Sequence, residues 1–215
     1  MKLTKWEHAC MVLELEGSKL VLDPGAFTAP VEGLTDVIGI VVTHEHFDHW
    51  TPEQFERILR LNPSARVFGT DATVAQAREQ GVTHTIEAVH PGDQLELGPF
   101  RLRFFGGDHA IIHESIPQIR NVGVLVNDTL YYPGDSFFVP DVHVPVLAAP
   151  ASAPWLKIAE TMDFIMAVRP ERCIQSHEMA NSVIGNGMAK ARMAWATEQG
   201  GGAFTWLEPG DTYEL

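Results

Sequence analysis

Residues 37–43, Val-Ile-Gly-Ile-Val-Val-Thr, form an apolar run that empties straight into His44-Glu45-His46-Phe47-Asp48-His49. A short run without polar alternation predicts a strand covered on both faces, so its sheet needs a layer on either side. The segment that follows crowds three imidazoles and the carboxylate of Asp48 into six residues at the mouth of that strand. Imidazole and carboxylate are the donors preferred by zinc and neighbouring divalent metals. In an extended piece His44 and His46 point the same way, and Asp48 and His49 fall where the chain turns into a helix. A solvated His-rich loop is the bland alternative, and four donors at one strand mouth weigh against it. The metalloprotease helix motif needs a histidine four residues after the first, and here that position is Asp48.

The rest of the chain alternates strands and helices. Residues 9–15 and 19–23 read as two strands joined at Gly17-Ser18, the second running into the turn Asp23-Pro24-Gly25. Thr51-Pro52 opens a helix over 52–61. A strand at 65–69 and a helix at 72–80, capped by Thr70 or Asp71, repeat that unit. Residues 84–105 read as all-β, and 121–132 as a hairpin turning at Asn127-Asp128. Trp155, Ile158, Met162 and Ile165 recur at helical spacing, marking the buried stripe of a helix. A strand at 172–175, a helix near 187–199 and a terminal strand complete the pattern. Such an order predicts two sheets face to face with helices outside, an αββα sandwich, and nothing divides the 215 residues into more than one domain.

Composition narrows the function. With 28 acidic and 15 basic residues the net charge is -13, and no Lys/Arg run breaks it. A phosphate backbone is repelled by such a surface, so nucleic acid is not an expected partner. Cys10 and Cys173 stand far apart and form no disulfide framework. No signal-peptide core follows Met1 and no apolar stretch spans a bilayer, so a cytoplasmic protein free of the membrane is expected. The subunit number stays open, a homo-oligomer included.

Further along lie Asp23 in Leu-Asp-Pro-Gly, His109 in Gly-Gly-Asp-His-Ala, Asp135 in Tyr-Pro-Gly-Asp-Ser and His177 in Gln-Ser-His-Glu. Together with His44–His49, this ordered set resembles the metallo-β-lactamase superfamily, whose signature is His-x-His-x-Asp-His. The stretch from Gly106 to Pro117, followed by Asn121-Val-Gly, has the look of its compact hydrolase branch, which includes ascorbate-6-phosphate lactonases. The resemblance implies two divalent ions, zinc before manganese or iron. His44, His46 and His109 would hold the first, and Asp48, His49 and His177 the second, with Asp135 shared. Asp23 would steady the metal loop without being a ligand. A water activated by the two ions would attack an ester, lactone or phosphodiester bond of a small-molecule substrate, with Asp48 orienting it.

The proton donor to the leaving group is not legible, and His113 is the candidate to test. His8, His84, His90 and His143 match no motif and read as surface or structural residues, with a minor cleft role left open for His143. Trp155 and Met162 read as core, and Arg120 as solvated or ion-paired in preference to meeting an anionic substrate. Two rival activities on this scaffold are an RNA or nucleotide phosphodiesterase and a di-iron oxidoreductase. A non-catalytic metal protein and an exported β-lactamase fit less well.

Overall fold

Period-two alternation divides the strand side chains between one shared interior and two outer faces. In the computed structural model, which describes residues 1–215, β2 (Met11–Leu15) and β3 (Ser18–Leu22) turn Met11, Leu13, Leu20 and Leu22 inward, and Val12 and Val21 outward. β4 (Val37–Val41) points Val41 in and Ile40 out, so the apolar run is indeed covered on both faces. With β1 (Lys2–Lys5), β5 (Arg66–Gly69), β6 (Ile86–Ala88) and β14 (Thr212–Glu214), these form a sheet in the order β14-β1-β2-β3-β4-β5-β6.

A second sheet faces it. Its strands are β7 (Gln94–Leu97), β8 (Phe100–Asp108), β9 (Arg120–Val126), β10 (Leu130–Tyr132), β11 (Val146–Pro150), β12 (Arg172–Ser176) and β13 (Ala203–Thr205), ordered β13-β12-β11-β10-β9-β8-β7. Here Val122, Val124, Val126, Tyr132, Val146 and Ile174 point to the shared interior, while Leu125, Tyr131, Leu147 and Cys173 point outward. Each fully buried Leu, Val or Phe of this interior contributes ~1.5–3 kcal/mol.

Helices cover both outer faces. α1 (Pro52–Leu61) buries Phe55, Ile58 and Leu59, and α2 (Asp71–Glu79) buries Ala77, against the first sheet. α3 (Ile158–Val168) and α4 (Val183–Gln199) lay Phe164, Ile165, Met193 and Ala196 on the second. The result is the αββα sandwich the sequence predicts. Threonines and a serine start three of these helices: Thr51, Thr70 and Ser182 each accept a first-turn backbone N–H. No helix is long and apolar enough to cross a membrane.

The differences from the sequence reading are local. β1 is absent from that reading, because four residues, Lys-Leu-Thr-Lys, carry little apolar signal and are specified by pairing with β2 and β14. Trp155 precedes α3 instead of lying within it, and α4 starts at Val183, four residues earlier than expected. The hairpin turn at Asn127 and Asp128 is as read, with both residues left-handed at φ 51 and 48.

Direction of travel positions the site. β3, β4, β5 and β6 are parallel, as are β10, β11, β12 and β13, so their C-terminal ends gather at one edge of each sheet. β8 runs the same way, being antiparallel to β9, which is antiparallel to β10. The two edges are stitched together where Val122 donates its N–H to the carbonyl of Thr43 at 2.9 Å.

Close backbone approach is needed at that edge. A Cβ on Gly25 would lie 1.9 Å from the carbonyl oxygen of Asp48. Gly25→Ala is therefore expected to lower stability by about 1–3 kcal/mol, the usual cost of overpacking, as read from the urea midpoint at an unchanged m-value.

Candidate metal centre

Each motif residue stands just beyond the end of a strand. Asp23 follows β3, His44 to His49 follow β4, His109 follows β8, Asp135 follows β10, and His177 follows β12. Gly134 makes the turn into Asp135 at φ +63, and a Cβ there would lie 2.4 Å from Oδ1 of Asn121. That oxygen accepts the N–H of Asp135 at 3.1 Å, while the Asn121 amide donates to the Pro133 carbonyl at 2.8 Å.

The side chains converge in two groups. His44, His46, His109 and Asp135 form one, and His8, Asp48, His49 and His177 form the other; within each group the donor atoms lie within 4.8 Å of one another. Asp135 reaches into both. Its Oδ1 lies 3.2 Å from Nε2 of His49, and its Oδ2 lies 3.3 Å from Nε2 of His109 and 3.2 Å from Nε2 of His177. Six of these residues are buried, while His46 and Asp48 are half-buried and open the cleft to solvent.

Four imidazoles have their Nδ1 already engaged. His44 faces Oγ1 of Thr43 at 3.0 Å, and His49 faces Oδ2 of Asp23 at 2.7 Å. His109 faces the Ala110 carbonyl and His177 the Ser152 carbonyl, each at 2.5 Å. Carbonyls and carboxylates only accept, and the Thr43 hydroxyl already donates to Asp23 at 2.7 Å, so each Nδ1 carries the proton. When neutral, each ring turns a bare Nε2 inward. Of these, the Nε2 atoms of His49, His109 and His177, together with Oδ1 of Asp135, are buried without any hydrogen bond. His44 Nε2 and His46 Nδ1 face each other at 3.0 Å. Buried nitrogens and a carboxylate oxygen that converge with no hydrogen-bond partner among the protein's own groups fit a divalent cation.

Charges follow the same logic. Burial lowers the pKa of His44 well below the usual imidazole value, and neighbouring His49 adds to it. Burial also resists charge on His49 and His177, but the carboxylate of Asp135 outweighs it and raises both, His177 to about 9. For Asp48, burial is overcome by the imidazoles of His177 and His8 beside its Oδ2, which hold its carboxyl far below the usual range.

Asp23 touches no bare nitrogen. Fully buried, it accepts from Thr43 N–H at 2.8 Å, Thr43 Oγ1, Nδ1 of His49 and the Tyr132 hydroxyl, the last three at 2.7 Å. It sets the tautomer of His49 from behind, the arrangement known to tune metal-binding histidines.

Residues 2–177 match the Beta-lactamase superfamily domain, a span that holds every one of these side chains. The chain belongs to the metallo-β-lactamase superfamily. It is 40% identical to Protein Rv0786c of Mycobacterium tuberculosis over 183 residues, 83% of this chain and 84% of that protein. Among solved structures it resembles Igni18, a metallo hydrolase of Ignicoccus hospitalis, at TM-score 0.75 and 18% identity over 100% of this chain and 98% of the other. It also resembles CmlA, a diiron β-hydroxylase of Streptomyces venezuelae, at TM-score 0.75 and 14% identity, covering 100% of this chain and 54% of that one. These two likenesses establish the superfamily fold.

Two residues correct the sequence reading. His8, read as surface or structural, is fully buried inside the second group, with Nε2 3.1 Å from Oδ2 of Asp48. Trp155, read as core, donates its indole N–H to Oδ2 of Asp135 at 3.0 Å and meets the His109 ring edge-on. Neither lies in a motif, and only a fold-back across 40 residues for His8 and 20 for Trp155 brings them in. His113 does not join the groups: its ring is exposed, with Nδ1 2.8 Å from Oγ of Ser115. His143 is likewise exposed beside Glu171, and Arg120 pairs with Asp108 at 2.6 Å.

Two outcomes follow for the metal-free chain and its supports. His177 has its pKa raised from 6.5 to about 9, so its proton stabilises the metal-free fold fully below pH 6.5, and this stabilisation is lost as pH climbs through 9. The Tm of chelated protein should fall over that window, while metal-loaded protein stays flatter because a cation replaces the proton. Asp23→Asn, which sets an amide NH2 against one of these donors, should keep the far-UV circular dichroism, lower the Tm, and weaken metal binding by about 10–100-fold in a chelator competition.

Proposed function

We propose that this chain is a metal-dependent hydrolase that holds two divalent cations, zinc by preference, and cleaves an ester, lactone or phosphodiester bond of a small substrate. The observation that carries this reading is the place of Asp135 between the two groups, within 3.3 Å of bare Nε2 atoms from both sides. In this reading His44, His46 and His109 hold one ion, Asp48, His49 and His177 hold the other, and Asp135 serves both. An all His/Asp donor set suits zinc and also manganese or iron.

Such a pair supplies Lewis acidity and brings the pKa of water down from 15.7 to about 7. The chain's own part is orientation. Asp135 carries the shared negative charge, and Trp155 donates to its Oδ2, which fixes the carboxylate plane. Asp48 keeps its charge at any ordinary pH and, being half-buried, presents it at the cleft mouth where a water arrives. Phe27 and Phe47, edge to face at 5.5 Å, wall that mouth on the Asp48 side and leave an apolar surface for the non-reacting part of a substrate. The acidic surface disfavours RNA as that substrate. Cys10 and Cys173, both buried and unpaired, suit a reducing cytoplasm.

A second reading, a di-iron oxidoreductase, is favoured by the shared fold with the diiron hydroxylase and by the same donor types. The optical spectrum of aerobically purified protein separates the two, since zinc is colourless there.

Elemental analysis of wild type should give two divalent ions per chain, and a panel of lactones, phosphodiesters and thioesters should reveal an activity abolished by chelator. Asp135→Ala should retain fewer ions and lose about 1000-fold in kcat, the equivalent of several kcal/mol of transition-state stabilisation.

A further inference from the structure

We propose that His8 is a positioning residue for Asp48: it donates Nε2–H to Oδ2 of that carboxylate and so fixes which edge Asp48 offers to the second cation. This inference rests on the dinuclear reading above and adds to it a group outside the signature motifs.

Asp48 lies on a loop, is half-buried at the cleft mouth, and turns about two side-chain bonds. Something must hold it. Its Oδ2 is 3.1 Å from Nε2 of His8, closer than to Nε2 of His177 at 3.4 Å or of His49 at 3.8 Å. A carboxylate accepts and does not donate, so His8 carries its proton on Nε2. Its Nδ1 is then a bare acceptor, which agrees with its being buried without a partner. The His8 ring lies 3.8 Å from the His177 ring between centroids, against 5.4 Å between His49 and His177. His8 thus packs on the flank of the His177 ring with its Nε2 turned to Asp48. Phe27 closes the opposite side at 4.9 Å.

The backbone of His8 is held as firmly as its ring. It sits at φ 58, a left-handed conformation that costs a residue with a Cβ ~1–2 kcal/mol. Its N–H donates to Oε1 of Glu178 at 2.8 Å, and its carbonyl accepts from Nζ of Lys5 at 2.8 Å and from His177 N–H at 3.0 Å. Lys5 and Glu178 are themselves a buried ion pair at 3.0 Å. One clamp therefore fixes His8 and, through the adjacent peptide, His177.

The test is a Zn2+ titration of chelated protein against a chromophoric chelator, comparing wild type with His8→Leu, His8→Gln and His8→Asn. A Gln amide nitrogen reaches the place of Nε2, an Asn amide reaches only that of Nδ1, and Leu donates nothing. Expected is weakening of one of the two ions by about 10–100-fold in Leu and Asn, with the other ion unchanged and Gln close to wild type. Should His8→Leu fail to fold, the contrast between Gln and Asn decides alone. Variants that all bind like wild type, that lose both ions equally, or in which Gln fails as Leu does overturn the proposal. A wild-type chain that takes up no second ion overturns the dinuclear reading itself, a distinguishable result.

Discussion

The buried carboxylate of Asp23 is the joint on which the site depends. It stands at the end of a strand in one sheet and accepts from Tyr132 in the other, and its remaining bonds hold Thr43 and His49 of the loop between them. Hydrogen bonds to a charged group contribute ~1.5–3 kcal/mol each, and a carboxylate buried without them would be costly. Tyr132 can be relied on as a donor, since burial and then Asp23 push its pKa well up. The same contact that locks the sheets in register also decides which nitrogen of His49 is free. Architecture and chemistry are fixed by one group of atoms.

From that joint the electrostatics follow. The interior gathers six histidines around two carboxylates, an arrangement with no neutral resolution of its own. With Nδ1 protons committed outward to Thr43, Asp23 and two carbonyls, the inward nitrogens present lone pairs to one another and to Asp135. Protons can fill part of this need, which is why His49 and His177 have raised pKa values despite a burial that opposes charge. A divalent cation fills it without leaving a buried N–H stranded, and the chain's surplus of acidic residues favours the approach of cations.

Legibility in the sequence divided along physical lines. The strand over 37–41 and the helix over 52–61 were readable because apolar run length, cap and N1 proline all act locally. The donors after them were readable because strand ends must deliver them in order, so they carry motifs. β1 was not readable, because its formation depends on a partner more than 200 residues away in sequence, Tyr213 opposite Leu3. Trp155 misled by standing at helical spacing from Ile158 while lying outside the helix. His8 and Trp155 act through one hydrogen bond each to a residue far along the chain, a relation that leaves no local pattern.

The Lys5–Glu178 pair bears on the same distinction. Burying two opposite charges seldom adds stability over apolar residues of equal volume. Burial lowers the pKa of Lys5, and Glu178 beside it works to keep the charge. What an apolar pair could not do is bond three backbone groups at once. Lys5 binds the carbonyls of Trp6 and His8, and Glu178 binds the N–H of His8, all in a turn forced into left-handed geometry. The pair is therefore best understood as a constraint on shape, keeping the first turn of the chain pressed against His177.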